Sequence, residues 1–276
     1  MTGPAGPPDC VACGGTVAPD GFCWDCGELQ PSFRAHLETT LGTGAAGVSD
    51  RGRRGLNQDA MAVTGSGEWT IGVVCDGVSM SPRAERAAQV AATVGAARLT
   101  KGLREGTLPE TVLTDAAASA GRAVGALAAS VDAAPACTYV AGIVGPEGIW
   151  CAWIGDSRAY WLPDEGTCVA MTEDDSDQRE ALTAWLGADA GEPRAQVRSY
   201  RPRGPGRLLL CTDGLTRHQP DAGGLRAVLT RRRRSTPADL RLLEDARALI
   251  GYGMDAGGQD NITALLIRTP QPRRGY

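Results

Sequence analysis

Four aspartates stand at similar junctions between short apolar runs and turn residues. Asp76 follows the run 70–75 and precedes Gly77, and Asp213 follows the run 207–212 and precedes Gly214. Asp156 follows the run 149–155, and Asp260 stands just before Asn261 and the run 262–267. Short apolar runs bounded by Gly, Asp or Asn read as buried strands. One acid at a strand end is ordinarily a turn residue, but four suggest carboxylates converging on a single site. Such carboxylates repel one another unless a cation or shared protons neutralise them. Oxygen ligands with little sulfur or imidazole nearby favour hard cations such as Mg²⁺ or Mn²⁺. The chemistry implied is metal-assisted hydrolysis of an anionic substrate.

A second set of ligands lies at the N-terminus. Cys10, Cys13, Cys23 and Cys26 form two Cys-x₂-Cys pairs, with Gly14 and Gly27 following the second cysteine of each. Four thiolates make a closed tetrahedral zinc site, which is structural rather than catalytic. A segment this short has no core of its own, so metal binding would supply its folding energy. The other cysteines, Cys75, Cys137, Cys151, Cys168 and Cys211, lie in or beside apolar runs and read as small buried hydrophobes. Cys75 and Cys211 precede key aspartates, but a thiolate matches a hard cation poorly.

Bulk properties narrow the remaining classes. A chain of 276 residues with 42% apolar content can build one large domain plus a small module. Its net charge of −4 argues against a general nucleic-acid binder. No apolar stretch approaches the roughly 20 residues of a membrane helix, and residues 1–8 lack a signal pattern. The expected location is the cytoplasm. The composition divides the chain into a zinc ribbon at 1–36, a Gly/Thr/Ala-rich linker at 37–47, a main domain at 48–270 and a loose tail at 271–276.

The segment Arg51-Gly-Arg-Arg54-Gly-Leu-Asn57-Gln58-Asp59 precedes Asp76-Gly77, Gly155-Asp156, Asp213-Gly214 and Asp260-Asn261. Taken in this order, the motifs resemble the metal-dependent protein phosphatases, the type 2C serine/threonine phosphatases. A zinc ribbon ahead of such a domain resembles a bacterial subgroup. The resemblance implies that Asp76 bridges two Mg²⁺ or Mn²⁺ ions, with the Gly77 carbonyl as a further ligand. Asp213 and Asp260 would complete the first site and Asp59 would serve the second. Asp156 would hold a weaker third ion with Asp213. Arg54 matches the phosphate-binding arginine, with Arg51 and Arg53 as competing candidates. Two ions can activate a water and clamp phosphoryl oxygens, while a guanidinium neutralises phosphate charge. The implied substrates are phosphoproteins made by a serine/threonine kinase. The acidic chain favours a ribbon that docks a protein or serves as a simple cap.

Three departures from the family pattern bear on activity. Gln58 replaces a glutamate ligand found in many members, although some bacterial members share Asn-Gln-Asp. Val78 occupies a position where some members carry histidine, so leaving-group protonation would fall to water. Residues 172–176 reach 182–187 across only five residues, where the family usually has a longer mobile flap. These departures motivate an alternative, a catalytically impaired module that senses phosphate or acts as a scaffold.

Helical periodicity covers 82–99, 108–131 and 237–254. Arg231, Arg232, Arg233 and Arg234 read as a helix end. Strands are expected near 61–63, 70–75, 137–144, 149–154, 158–162, 196–200, 208–212 and 262–268. Hairpin spacing disfavours a parallel sheet. The resemblance implies an α+β fold, a four-layer αββα sandwich of two antiparallel sheets with the acids in a cleft at one end. The acids of 173–177 read as a solvated loop.

Overall fold

The computed structural model describes residues 10–18, 21–30, 34–179, 181–192, 194–230 and 241–269. Chain order begins with β1 (His36–Leu41), β2 (Ala45–Asp50), β3 (Ala60–Ser66) and β4 (Trp69–Cys75). Helices α1 (Ala84–Arg104) and α2 (Pro109–Gly125) follow, then β5 (Tyr139–Val144), β6 (Ile149–Ile154), β7 (Arg158–Pro163), β8 (Val169–Ala170) and β9 (Gln196–Tyr200). The chain continues through β10 (Gly206–Cys211), α3 (Asp213–Thr216), α4 (Ala222–Thr230), α5 (Arg241–Asp255) and β11 (Ile262–Arg268).

The strands form two antiparallel sheets, ordered β1-β2-β11-β10-β7-β8 and β3-β4-β5-β6-β9. Side chains from both sheets, including Met61, Val74, Val140, Trp161, Leu208 and Leu265, pack between them. Strand β5 is buried throughout because it is covered on both faces. On the outer face of the second sheet, α1 presents Ala84, Ala87, Ala88, Ala91 and Leu99, all fully buried. That spacing makes one helical stripe, and its small side chains let the helix sit close to the strands. Pro109, at the first position of α2, needs no amide partner there. Helices α4 and α5 cover the first sheet through Leu225, Leu242 and Leu249. The result is the expected αββα sandwich.

One expectation fails. Residues 37–47, expected as a linker, form most of a hairpin in which His36 pairs with Asp50 and Leu41 with Ala45. Strand β2 also pairs with β11. Its small residues reflect tight packing rather than flexibility: a Cβ on Gly47 would lie 2.7 Å from the Met61 sulfur and 2.8 Å from Leu265. The arginine run 231–234 and the tail 271–276 lie outside the described residues, as does part of the ribbon.

The short flap segment is a tight turn. Ser176 and Leu182 pair as an isolated bridge, and Asp177 accepts the Arg179 and Ala181 amides at 2.8 and 3.0 Å. Glu173 and Asp177 are exposed, as expected of a solvated loop, whereas Asp174 and Asp175 are half-buried and anchored. Asp174 forms a two-point ion pair with Arg158 at 2.7 and 2.6 Å. Asp175 accepts from the Gly155 amide and from Gln196.

Candidate metal centre

The sheet ends bring the five aspartates into one field. Asp59 enters β3, Asp76 leaves β4, Asp156 sits between β6 and β7, Asp213 follows β10 and Asp260 precedes β11. The charges of Asp59, Asp213, Asp156 and Asp260 all act on Asp76. Thr138 fixes the Asp76 backbone twice, accepting its amide at 3.0 Å and donating its own amide to the Asp76 carbonyl at 2.8 Å. Gly214 lies so close to the Asn261 carbonyl that an added Cβ would meet that oxygen at 2.0 Å. Any larger residue there would push Asp213 away from Asp260.

Asp59 is held most rigidly. Its Oδ2 accepts hydroxyl hydrogen bonds from Thr212 at 2.9 Å and Thr263 at 2.7 Å. Its Oδ1 is buried without a hydrogen-bond partner. A buried carboxylate oxygen left unpaired is costly, and a hard cation is the natural partner for an oxygen set of this kind. The donor set therefore fits Mg²⁺ or Mn²⁺.

The electrostatics agree. Burial, followed by the charges of Asp59, Asp213, Asp156 and Asp260, pushes the Asp76 carboxyl well above its ordinary value. Burial lifts Asp59 to about 7 against the pull of the two threonine hydroxyls. Asp156 rises to about 6 through burial and the nearby Asp213 and Asp174. Burial also raises Asp213, with Arg217 opposing. Carboxyls that resist ionisation together need added positive charge.

Among the competing arginines, Arg54 reaches the acids. Its Nε donates to the Gln259 carbonyl at 3.0 Å and a terminal nitrogen donates to Asp260 Oδ2 at 2.9 Å. Arg51 donates instead to the Gly55 carbonyl at 3.4 Å. Gln58 contributes backbone contacts, giving its amide to Asn261 and accepting from the Gly77 amide at 3.2 Å. Cys75 and Cys211 are buried in the hydrophobic layers between sheets and helices. Arg217, which no motif in the sequence marks, brings its guanidinium to 2.5 Å from Asp213 Oδ2. Its signal was the four-residue spacing from Asp213, one helical turn.

A separate ligand group is formed by Cys10, Cys13, Cys23 and Cys26, whose sulfurs all lie within 4.8 Å of one another. The pairs Cys10–Cys26 and Cys13–Cys23 are 3.7 and 3.5 Å apart. Tetrahedral Zn–S bonds of about 2.3 Å put sulfurs roughly 3.8 Å apart, so the cluster fits zinc. Gly14 and Gly27 adopt φ of 73° and 75°, turning the chain after each knuckle. The Ala12 and Asp25 amides point at Cys10 and Cys23, and Gln30 donates to Cys10 at 3.3 Å. Val11 and Trp24, at matched knuckle positions, are exposed.

Residues 46–243 match the sequence model of the family described as protein phosphatase 2C. No curated protein matches the chain. Among solved structures, the catalytic domain of the serine/threonine protein phosphatase PstP in complex with two manganese ions is similar at 25% identity, covering 82% of this chain and 98% of that one, with a TM-score of 0.64. The Mycobacterium tuberculosis phosphatase PstP/Ppp superposes with a TM-score of 0.67 at 24% identity, again over 82% and 98% of the chains. For the Staphylococcus aureus serine/threonine phosphatase Stp1 the values are 0.67 and 20%, over 84% and 96%.

Proposed function

The chain belongs to the protein phosphatase 2C family, and from that premise we propose that it hydrolyses phosphoserine and phosphothreonine in proteins at a binuclear Mg²⁺ or Mn²⁺ centre. The observation that carries this reading is the unpartnered, buried Oδ1 of Asp59 in the field of Asp76, Asp213 and Asp260. Asp76, Asp213 and Asp260 would hold one ion, Asp76 and Asp59 the second, with the Gly77 carbonyl as a further ligand, and Asp156 with Asp213 a weaker third. When bound, the ions supply an activated water and a clamp on the phosphoryl oxygens. Arg54 binds the phosphate, its guanidinium already anchored on the Gln259 carbonyl beside Asp260. Thr212 and Thr263 hold the Asp59 carboxylate in place, and Thr138 holds the Asp76 backbone.

The short turn at 176–182 leaves the cleft without a long flap, which supports access for folded phosphoproteins as well as peptides. Exposed Val11 and Trp24 support a docking role for the ribbon, since exposed apolar side chains at matched positions suit a protein partner. Among the described residues no helix is long and apolar enough to cross a membrane.

The test is manganese-dependent phosphate release from phosphothreonine peptides and an aryl phosphate. Wild type is expected to turn over, and Asp76→Asn or Asp213→Asn to abolish release. Undiminished activity in both variants would sink the site assignment. A protein that binds fewer than two ions at millimolar Mn²⁺ and turns nothing over would instead be the impaired module suggested by Gln58.

A further inference from the structure

Two guanidiniums approach one oxygen of Asp260. Arg54 meets Oδ2 at 2.9 Å from the 51–59 segment, and Arg217 lies 3.8 Å from the same atom on the side of α3. Arg217 is placed there by local backbone. Asp213 opens α3, and the Arg217 amide donates to the Asp213 carbonyl at 2.8 Å, so the two side chains stand on one face of a single helical turn. One terminal nitrogen of Arg217 then meets Asp213 Oδ2 at 2.5 Å. Asp213, Asp260 and Asp156 all act on this guanidinium, yet its side chain is 64% exposed. A guanidinium carries five donors in a planar fork. One terminal nitrogen meets Asp213 and the other lies 3.8 Å from Asp260, so this exposed fork keeps further N–H donors for a ligand.

A phosphate monoester entering this mouth carries close to two negative charges and approaches a cluster of five aspartates. The ions proposed above would offset the acids, and a guanidinium at the entrance adds a planar contact to the phosphoryl oxygens. We propose that Arg217 is the second phosphate-binding residue of this chain, holding Asp213 with one edge and a phosphoryl oxygen with another, opposite Arg54. The proposal deepens the phosphatase reading and rests on it. It assigns Arg217 to substrate binding, as distinct from a surface ion pair of the ordinary i,i+4 kind. Such pairs contribute little and would leave ligand affinity unchanged when removed.

The experiment measures inorganic phosphate binding to the manganese-loaded protein by calorimetry, beside kcat and KM for an aryl phosphate and a manganese titration. Arg217→Gln is expected to weaken phosphate binding and raise KM on the order of tenfold, the value of one charge-assisted contact. Arg217→Lys should restore only part of this, because an ammonium cannot hold two partners with a planar fork. Manganese affinity should be held or slightly strengthened in both variants. Unchanged phosphate affinity and KM in Arg217→Gln would overturn the proposal. So would a loss of manganese binding that fully accounts for the lost phosphate binding, since Arg217 would then only position Asp213. Failure of the parent reading is distinct: wild type itself would release no phosphate.

Discussion

Asn261 clasps the segment that carries Arg54 and Asp59. Its side-chain oxygen accepts the Gln58 amide at 2.8 Å, and its nitrogen donates to the carbonyls of Arg51 and Leu56, each at 2.8 Å. Asn261 is itself buried, and so its amide serves as an internal substitute for backbone pairing. Three backbone groups far apart in sequence from Asn261 thus depend on one side chain.

Replacing Asn261 by Ala leaves those groups without that partner, at about 1 kcal/mol or more for each that stays dry. Chemical denaturation is expected to show a loss of about 3 kcal/mol, together with a raised KM because Arg54 loses its fixed support. A variant with wild-type stability and KM would show that the 51–59 segment holds its own shape.

The acid cluster makes stability fall as pH rises when a chelator is present. Asp59 stands at about 7 and Asp156 at about 6 in the folded chain, against roughly 4 for an unfolded carboxyl. The folded state therefore holds protons that the unfolded state has released, and ∂ΔG/∂pH is negative between about pH 4 and 7. Asp59 alone contributes on the order of 2 kcal/mol of this loss between pH 5 and 7. A scanning melt in chelator is expected to give a lower Tm at pH 8 than at pH 5, by roughly 5 °C, and a flatter profile in Asp59→Asn. Added Mn²⁺ should raise Tm more at pH 8, where protons no longer compete for the ligands. A Tm in chelator that climbs from pH 5 to pH 8 would contradict the assigned shifts.

The ribbon cluster should carry zinc independently of the acids. Elemental analysis of the purified protein is expected to find one zinc per chain, released by a thiol-directed mercurial and absent from Cys10→Ser. Gln30 donates to Cys10 and accepts the Val11 amide, so Gln30→Ala should weaken zinc retention about tenfold, as loss of an outer-shell partner does. Full zinc occupancy in Cys10→Ser would remove this residue from the ligand set.

The acids were legible in sequence because each sits at the border of an apolar run, where a local pattern marks both the strand and its end. Arg54 was narrowed by its spacing from Asp59. Arg217 was not found, because an arginine after a strand reads like any surface residue until the turn of α3 sets it beside Asp213. The hairpin of β1 and β2 was hidden for the opposite reason. Its Gly and Ala residues resemble a linker, and only contact with Met61 and Leu265 from distant segments requires them to be small. Asp174 and Asp175 read as solvated because Arg158 and Gln196 arrive from other strands. Tertiary partners of this kind leave no local trace.

Asp59 belongs to the β3 sheet, whereas Thr212 and Thr263, which donate to it, follow β10 and lie in β11 of the opposite sheet. One carboxylate oxygen thus stitches the two halves of the sandwich while its twin faces the acid cluster. Selection on this position acts through two demands at once, and they can separate. A descendant that gave up hydrolysis would still need an acceptor at 59 to keep its sheets aligned. Loss of the acceptor at 59 would therefore unsettle the sandwich as well as the site.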